Sequence, residues 1–269
     1  MSASNSKQLR RPLAADLAPA TEFLALPAAR VLISLATYNE IENIPDLVND
    51  IQVVLPKADV LVVDDNSPDG TGKWVAERSK CDHRLHGLHR GSKQGLGTAI
   101  LAGMRFAAEK DYDYFVSMDA DYSHHPQFLP ALVAGMEQQR RLACDVMIGS
   151  RYVSGGGIHG WPWTRRIMSR AVNLYARWLL RLSAGDCSGG FRCYRISSLR
   201  RIDPSTVRSA GYAFQEEFLW CLKKSGAEIA ETPICFADRT RGQSKIDFHE
   251  AWSALWVIGR LGLKTWLGI

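Results

Sequence analysis

The 269-residue chain is 46% hydrophobic and 23% charged, an ordinary globular composition long enough to bury one large core. A net charge of +5 and a pI near 8.9 favour anionic partners such as phosphates, nucleic acid or a lipid surface, and serve equally as a solubility margin. No run of 18 or more uncharged apolar residues occurs, so nothing reads as a membrane span, and the polar residues 1–29 lack the apolar stretch of a secretory signal.

That first segment reads as a loosely ordered tail ahead of one domain over 30–246, with 247–269 as a separate C-terminal segment. Cys81, Cys144, Cys187, Cys193, Cys221 and Cys235 form no CxxC pair and no metal-ligand spacing. They read as reduced thiols of a cytoplasmic protein.

From Val31 the pattern becomes regular. VLISLA is a continuous apolar run, and Ile44, Leu47, Val48, Ile51, Val54 and Leu55 recur at helical spacing, which predicts a strand and then a helix. The alternation continues with the strand ADVLVVDD, a helix from about Thr71, a short strand near HGLHR and a helix through GLGTAILAGMRFAAEK. The strand DYFVSMDA, a helix after Pro126 and the strand CDVMIGS follow. Buried strands separated by helices predict an α/β domain whose mostly parallel central sheet has helices on both faces. Beyond Tyr152 come the Gly-rich loop SGGGIHGWPW, an Arg-rich helix from about Arg165 to Arg181, the turn GDCSGGFR and a helix near Phe214 to Lys224. A strand around Ile229 to Phe236 and a Trp-rich end complete the chain.

Ligands of such sheets sit beyond the carboxyl ends of the strands. Three polar clusters fall there, at 37–40, 64–67 and 119–121. Asp119 and Asp121, two residues apart on an extended segment, share a face, and unscreened they would repel each other. A hard divalent cation, Mg²⁺ or Mn²⁺, completing its shell with diphosphate oxygens suits them, whereas a capping or turn pair is the bland alternative. Ser123, His124 or His125 could add a ligand, although a histidine in such a loop more often only hydrogen-bonds. Asp65 could accept from a nucleobase or a ribose hydroxyl, with helix capping near Ser67 or Asp69 as the alternative. GSKQGLGTA offers Arg90, Lys93 and a helix N-terminus to an anion, but lacks both the third glycine of a dinucleotide fingerprint and the GK[ST] of a P-loop. A dehydrogenase or an NTPase is disfavoured.

TYNE, VVDDNSPDGT, GLGTA, MDADYSHHP, GSRYVSGGG, GWPWTRR, SGGFRCY, GYAFQEE and DRTRGQSK occur in one order between Val31 and Lys245. Together they resemble the dolichol-phosphate mannose synthases, polyprenyl-phosphate mannosyltransferases within the inverting family 2 glycosyltransferases, over roughly four-fifths of the chain. The resemblance implies a glycosyltransferase A fold with C-terminal amphipathic helices, GDP-mannose as donor, Mg²⁺ or Mn²⁺, and a dolichyl or polyprenyl phosphate acceptor at a cytoplasmic membrane face. It implies further that Ala36, Tyr38, Glu40, Val63, Asp65 and Lys93 serve the nucleotide, and that Asp119, Ala120 and Asp121 meet the diphosphate, the two acids as metal ligands. By the same resemblance Arg151, Arg165, Arg239 and Lys245 surround the donor and acceptor phosphates, with Ser169 nearby. Ala36 stands where relatives often have Pro, and Ser123 where some supply a metal-binding Gln, which leaves the third ligand open.

A phosphate monoester already carries about −1.5 to −2 charges at neutral pH, so such an acceptor needs no deprotonating residue. This accounts for a site rich in arginine and poor in bases. On a helix over 165–181, Arg166, Arg170, Arg177 and Arg181 fall within roughly 60° of arc beside Trp161 and Trp163, a stripe suited to a membrane surface or simply to solvent. AWSALWVIGRLGLKTWLGI, apolar nearly all round yet broken by Arg260 and Lys264, could lie in the interface, close the acceptor groove or pack on a small membrane-anchoring subunit. In DRTRGQSK, Arg239 and Lys245 would both meet phosphates if the loop folded over the site. No nucleic-acid partner is expected. The rival readings are a UDP-glucose-dependent polyprenyl-phosphate glucosyltransferase and an inactive, membrane-docked binding subunit.

Overall fold

A computed structural model describes residues 29–138, 144–211, 213–238 and 248–268. The first half alternates as the apolar pattern requires: β1 (Val31–Thr37), α1 (Ile44–Val54), β2 (Asp59–Asp64), α2 (Thr71–Arg78), β3 (Leu85–His89), α3 (Leu96–Glu109), β4 (Tyr114–Asp119) and α4 (Leu129–Gln138). The second half comprises β5 (Val146–Ser150), β6 (Gly157–His159), α5 (Trp163–Leu180), β7 (Arg192–Arg195), α6 (Ile196–Leu199), α7 (Phe214–Lys224), β8 (Ile229–Pro233), β9 (Cys235–Ala237) and α8 (Phe248–Leu267).

Seven strands form one sheet in the order β3-β2-β1-β4-β7-β5-β8. All its pairings are parallel except those of β7, which runs antiparallel to both β4 and β5. The expected mostly parallel sheet is present. β7 directly follows the stretch read from sequence as a turn, sharing only Arg192 with it, and it lies inside the sheet between β4 and β5. The expected strand over 229–236 is two strands, β8 in the main sheet and β9 paired with β6 from the Gly-rich loop.

Side chains alternate across β2, with Val60 and Val62 entering one core and Leu61 and Val63 the other. Ile44, Leu47, Val48 and Ile51 of α1 and Leu129, Leu132 and Val133 of α4 fill the first core. Ala99, Ile100 and Met104 of α3 and Phe218, Leu219 and Leu222 of α7 fill the second. Both faces of the sheet are therefore covered, as parallel strands require.

The C-terminal segment is one helix, and it is part of the fold. Ala254, Val257, Ile258 and Leu261 of α8 enter the second core, where full burial of Ile258 or Leu261 stabilises by about 1.5–3 kcal/mol before entropy. Glycine permits the approach to α5: a Cβ on Gly262 would lie 3.1 Å from Leu179. Among the described residues no helix is long and apolar enough to cross a membrane.

Candidate active site

Sheet register builds the first part of the site. Ala36 pairs with Val63 on one side and with Asp119 on the other, so β1, β2 and β4 end level. The chain leaving β1 through Tyr38, Asn39 and Glu40 is tied to the one leaving β2. Asn39 N–H donates to Ser67 Oγ (3.0 Å), Glu40 N–H to Thr71 Oγ1 (3.1 Å) and Ile41 N–H to Asp69 Oδ2 (2.9 Å). Asp64, buried, accepts from Thr37 Oγ1 (3.1 Å) and from Ser67 N–H (3.1 Å), so it holds both loops in place.

Asp65 and the glycine-rich loop are bound to each other. The Arg90 guanidinium pairs with Asp65 Oδ1, Gln94 N–H reaches Oδ2 (3.3 Å), and Arg90 Nη1 donates to Thr98 Oγ1 (2.7 Å). Arg90 is thus spent on Asp65 and is not open to an anion. The N-terminus of α3 is closed as well, because Gly97 N–H donates to Ala210 O (2.8 Å) and a Cβ on Gly97 would press 2.7 Å from the Phe214 ring. These glycines serve close packing. Lys93, exposed, lies 4.8 Å from the centre of the Tyr38 ring.

Asp119, whose side chain is 38% exposed, opens on the cleft, with Ala120 and the more buried Asp121 behind it. Asp119 N–H donates to Nδ1 of His124, and that buried ring stacks on Phe191 at 5.1 Å and meets Phe236 edge-on at 5.4 Å. His125 accepts from Gln127 N–H (3.2 Å), and burial lowers its pKa. Both histidines are therefore building material of the loop. Asp121 Oδ1 accepts from Ser123 N–H (3.0 Å), and the buried Ser123 Oγ has no hydrogen-bond partner among the described residues. Two carboxylates, with an uncommitted hydroxyl beside them, are hard oxygen donors of the kind that Mg²⁺ or Mn²⁺ takes while keeping further positions for a diphosphate. The residues fit such an ion.

Across the cleft, charge is buried. Arg151 Nε and Nη2 grip Asp186 (2.7 and 2.6 Å), Nη2 also reaches Ser188 Oγ (2.9 Å), and Asp186 is fully enclosed. Burial opposes charge on both groups, yet the pairing overrides it, holding Asp186 below the usual carboxylate range and Arg151 above its ordinary value. Two of the five guanidinium N–H groups of Arg151, a residue expected at the phosphates, go to Asp186 and one goes to Ser188. Arg192, also fully buried, donates to Gln215 O (2.8 Å) and Cys187 O (2.5 Å). Burial raises the Glu216 carboxyl to about 7.

Arg165 stacks 4.0 Å over Trp161 and reaches Asp238 Oδ1 (3.3 Å). Ser169 Oγ accepts from Tyr152 O–H (2.6 Å). The Val63 side chain is wholly inside the core, which leaves its backbone for a ligand. Trp161 departs from expectation. It is buried against Phe236, at 5.2 Å between ring centres, and cannot face a membrane. Arg239 and Lys245 lie outside the described residues. Sequence reasoning passed over Asp186, Arg192, Gln215 and Glu216, although QEE opens α7 with three polar residues where the helix is buried throughout its first two turns.

The profile of the family described as Glycosyl transferase family 2 matches residues 33–203. The chain is a family 2 glycosyltransferase. It is 42% identical over 241 residues to the undecaprenyl-phosphate mannosyltransferase of Micrococcus luteus, covering 89% of this chain and 97% of that one. It is 40% identical over 239 residues to the polyprenol monophosphomannose synthase of Mycolicibacterium smegmatis, covering 88% and 89%. Among solved structures, the glucosyl-3-phosphoglycerate synthase of Mycobacterium tuberculosis with Mn²⁺, UDP and phosphoglyceric acid superposes with a TM-score of 0.62 at 17% identity, covering 88% of this chain and 78% of that one. A mannosyltransferase of Pyrobaculum calidifontis with GDP-mannose and Mn²⁺ gives 0.53 at 15% identity, covering 87% and 70%. In this glycosyltransferase the level strand ends and the facing buried pair of Arg151 and Asp186 form the two walls of one cleft, for a Cβ on Gly190 of the second wall would lie 3.5 Å from Asp119 of the first.

Proposed function

We propose that this glycosyltransferase moves mannose from GDP-mannose to a polyprenyl or dolichyl phosphate with inversion, aided by Mg²⁺ or Mn²⁺ held by Asp119 and Asp121. The observation that supports this reading most is the 40–42% identity, over nearly their whole lengths, to two enzymes named for mannose transfer to polyprenyl carriers. The bound ion would supply positive charge to the leaving diphosphate. Ala36, Tyr38, Glu40 and Lys93 would line the nucleotide, while Asp65 braces the 90–94 loop against it. Arg165 and Ser169, with Arg239 and Lys245, would receive the acceptor phosphate. That phosphate attacks the anomeric carbon from the side opposite GDP, and because it is already ionised the protein need only align and screen two anions.

The reaction would take place on a membrane face, to which the protein binds peripherally. On α5, Trp163 (73% exposed), Ile167, Leu174 and Trp178 (65% exposed) point outward beside Arg166, Arg170 and Arg177. Trp256, Leu263, Trp266 and Leu267 of α8 are exposed too, with the Trp178 and Trp266 rings 5.9 Å apart. An apolar surface with a basic rim suits insertion among anionic headgroups, and an anchoring subunit would use the same face.

Incubation with GDP-mannose or UDP-glucose, Mg²⁺ or Mn²⁺ and a short polyprenyl phosphate tests the proposal. The expected product is a mannosyl phospholipid, made from GDP-mannose alone, with the anomeric configuration opposite to the donor's. A glucosylated lipid, or no lipid product, would contradict it.

A further inference from the structure

Gln215 stands second in α7 and is 2% exposed, yet neither Nε2 nor Oε1 has a hydrogen-bond partner among the described residues. Its backbone is well held, since Gln215 O accepts from Arg192 Nη1 at 2.8 Å. The deficit lies wholly at the tip of the side chain. A buried amide lacking partners costs stability, so a protein retains one where something else completes it.

Position says where that completion occurs. A Cβ on Gly190 would lie 3.3 Å from Gln215 Nε2 and 3.5 Å from Asp119 Oδ1. A Cβ at 190 would stand against both amide and acid; glycine leaves them a shared space no larger than a methyl group. Chemistry then narrows the occupant. Phosphate oxygens only accept and a cation only takes oxygen, so either would leave one end of the amide unused. A hydroxyl both donates and accepts, and neighbouring hydroxyls on a hexose can meet both ends at once.

We infer that Gln215 is a specificity residue that grips a hydroxyl pair of the sugar on the nucleotide donor, across the Gly190 gap from Asp119. This rests on the sugar-nucleotide reading above. It goes further in naming which atoms of the protein read the hexose.

Binding of GDP, GDP-mannose and the four monodeoxy-mannose analogues, measured calorimetrically with Mn²⁺ in the parent and in Gln215→Met, tests it. Methionine keeps the volume and removes both polar atoms. In the parent at least one deoxy donor should bind about tenfold or more weakly than GDP-mannose. In Gln215→Met, GDP-mannose should fall at least to that level, the deoxy donor should lose clearly less than GDP-mannose does, and GDP should be unchanged. Equal losses for every donor, or a matching loss for GDP, would overturn the inference. The melting temperature of Gln215→Met without ligand should equal or exceed the parent's; a clear fall would mean that the amide is already partnered in the free protein, and would overturn it too. If the parent binds UDP-glucose and not GDP-mannose, the mannose reading fails, and the same cycle on deoxyglucose analogues of UDP-glucose decides Gln215.

Discussion

On the β3-β2-β1-β4 side of the cleft, polar groups stand at strand ends and are satisfied mainly by loop N–H groups and hydroxyls, as with Asp64 and Asp121. On the β7-β5-β8 side the polar groups lie under the surface, where Arg151 pairs with the enclosed Asp186 and Arg192 donates to two carbonyls, while Arg192 Nε and the Gln215 amide have no partner among the described residues. The first wall depends on register, and a side-chain change there alters what the cleft can hold. The second depends on charge pairing, and a change there alters whether the cleft exists. Chemistry and stability should therefore come apart between the two walls.

The largest effect on stability is expected at Asp186. Asp186→Asn leaves the Arg151 charge buried without its counterion and should cost about 3–5 kcal/mol, read from the urea midpoint. Asp64→Asn, at a carboxylate held by neutral donors, should cost about 1–2 kcal/mol. Equal costs would erase the contrast between the walls.

Asp121→Asn reverses the pattern. Turnover of GDP-mannose with a short polyprenyl phosphate should fall about 100-fold or more, while the unfolding free energy moves by about 1 kcal/mol or less. A variant as active as the parent at saturating Mn²⁺ would remove Asp121 from the chemistry.

Glu216 sharpens the contrast through pH. Its carboxyl is raised from 4.5 to about 7 by burial, so between those values the folded state holds a proton that the unfolded state has released. The resulting stabilisation is complete below pH 4.5 and is lost as pH rises through 7, up to about 3 kcal/mol in all. Glu216→Gln should abolish this slope. A parent and variant with parallel stability profiles over that window would show the carboxyl to be already ionised in the fold.

The smallest stability effect belongs to neither wall. Trp163→Ala and Trp178→Ala should change unfolding free energy by about 0.5 kcal/mol or less, yet each should weaken binding to anionic vesicles about tenfold. Unchanged vesicle binding in the double variant would leave this face to another partner.

The first wall was legible because its signals are local. Apolar runs fix β1, β2 and β4, and acids at their ends fall in the cleft as parallel register dictates. The second wall was not, because its order is tertiary. FRCYR has arginines at two of its five positions, and only burial against β4 and β5 makes it a central strand, with Arg192 donating to the carbonyls of Cys187 and Gln215. Asp186 in GDCSGGFR resembles any turn aspartate until Arg151, 35 residues away, is folded onto it. Trp161 misled for the same reason: beside Trp163 it reads as half of an aromatic pair, whereas packing against Phe236 turns it inward. The glycines of GLGTA suggest an anion loop in sequence, and Phe214 and Ala210 show them making room for neighbours.

The central claim is that Asp119 and Asp121 gather a divalent ion and the donor diphosphate at the end of β4. Titrating GDP-mannose into the parent and into Asp121→Asn, with and without Mn²⁺, tests it most directly. The parent should bind the donor far more tightly when Mn²⁺ is present, and the variant should gain little from the ion. The same Mn²⁺-dependent gain in both proteins would contradict the account.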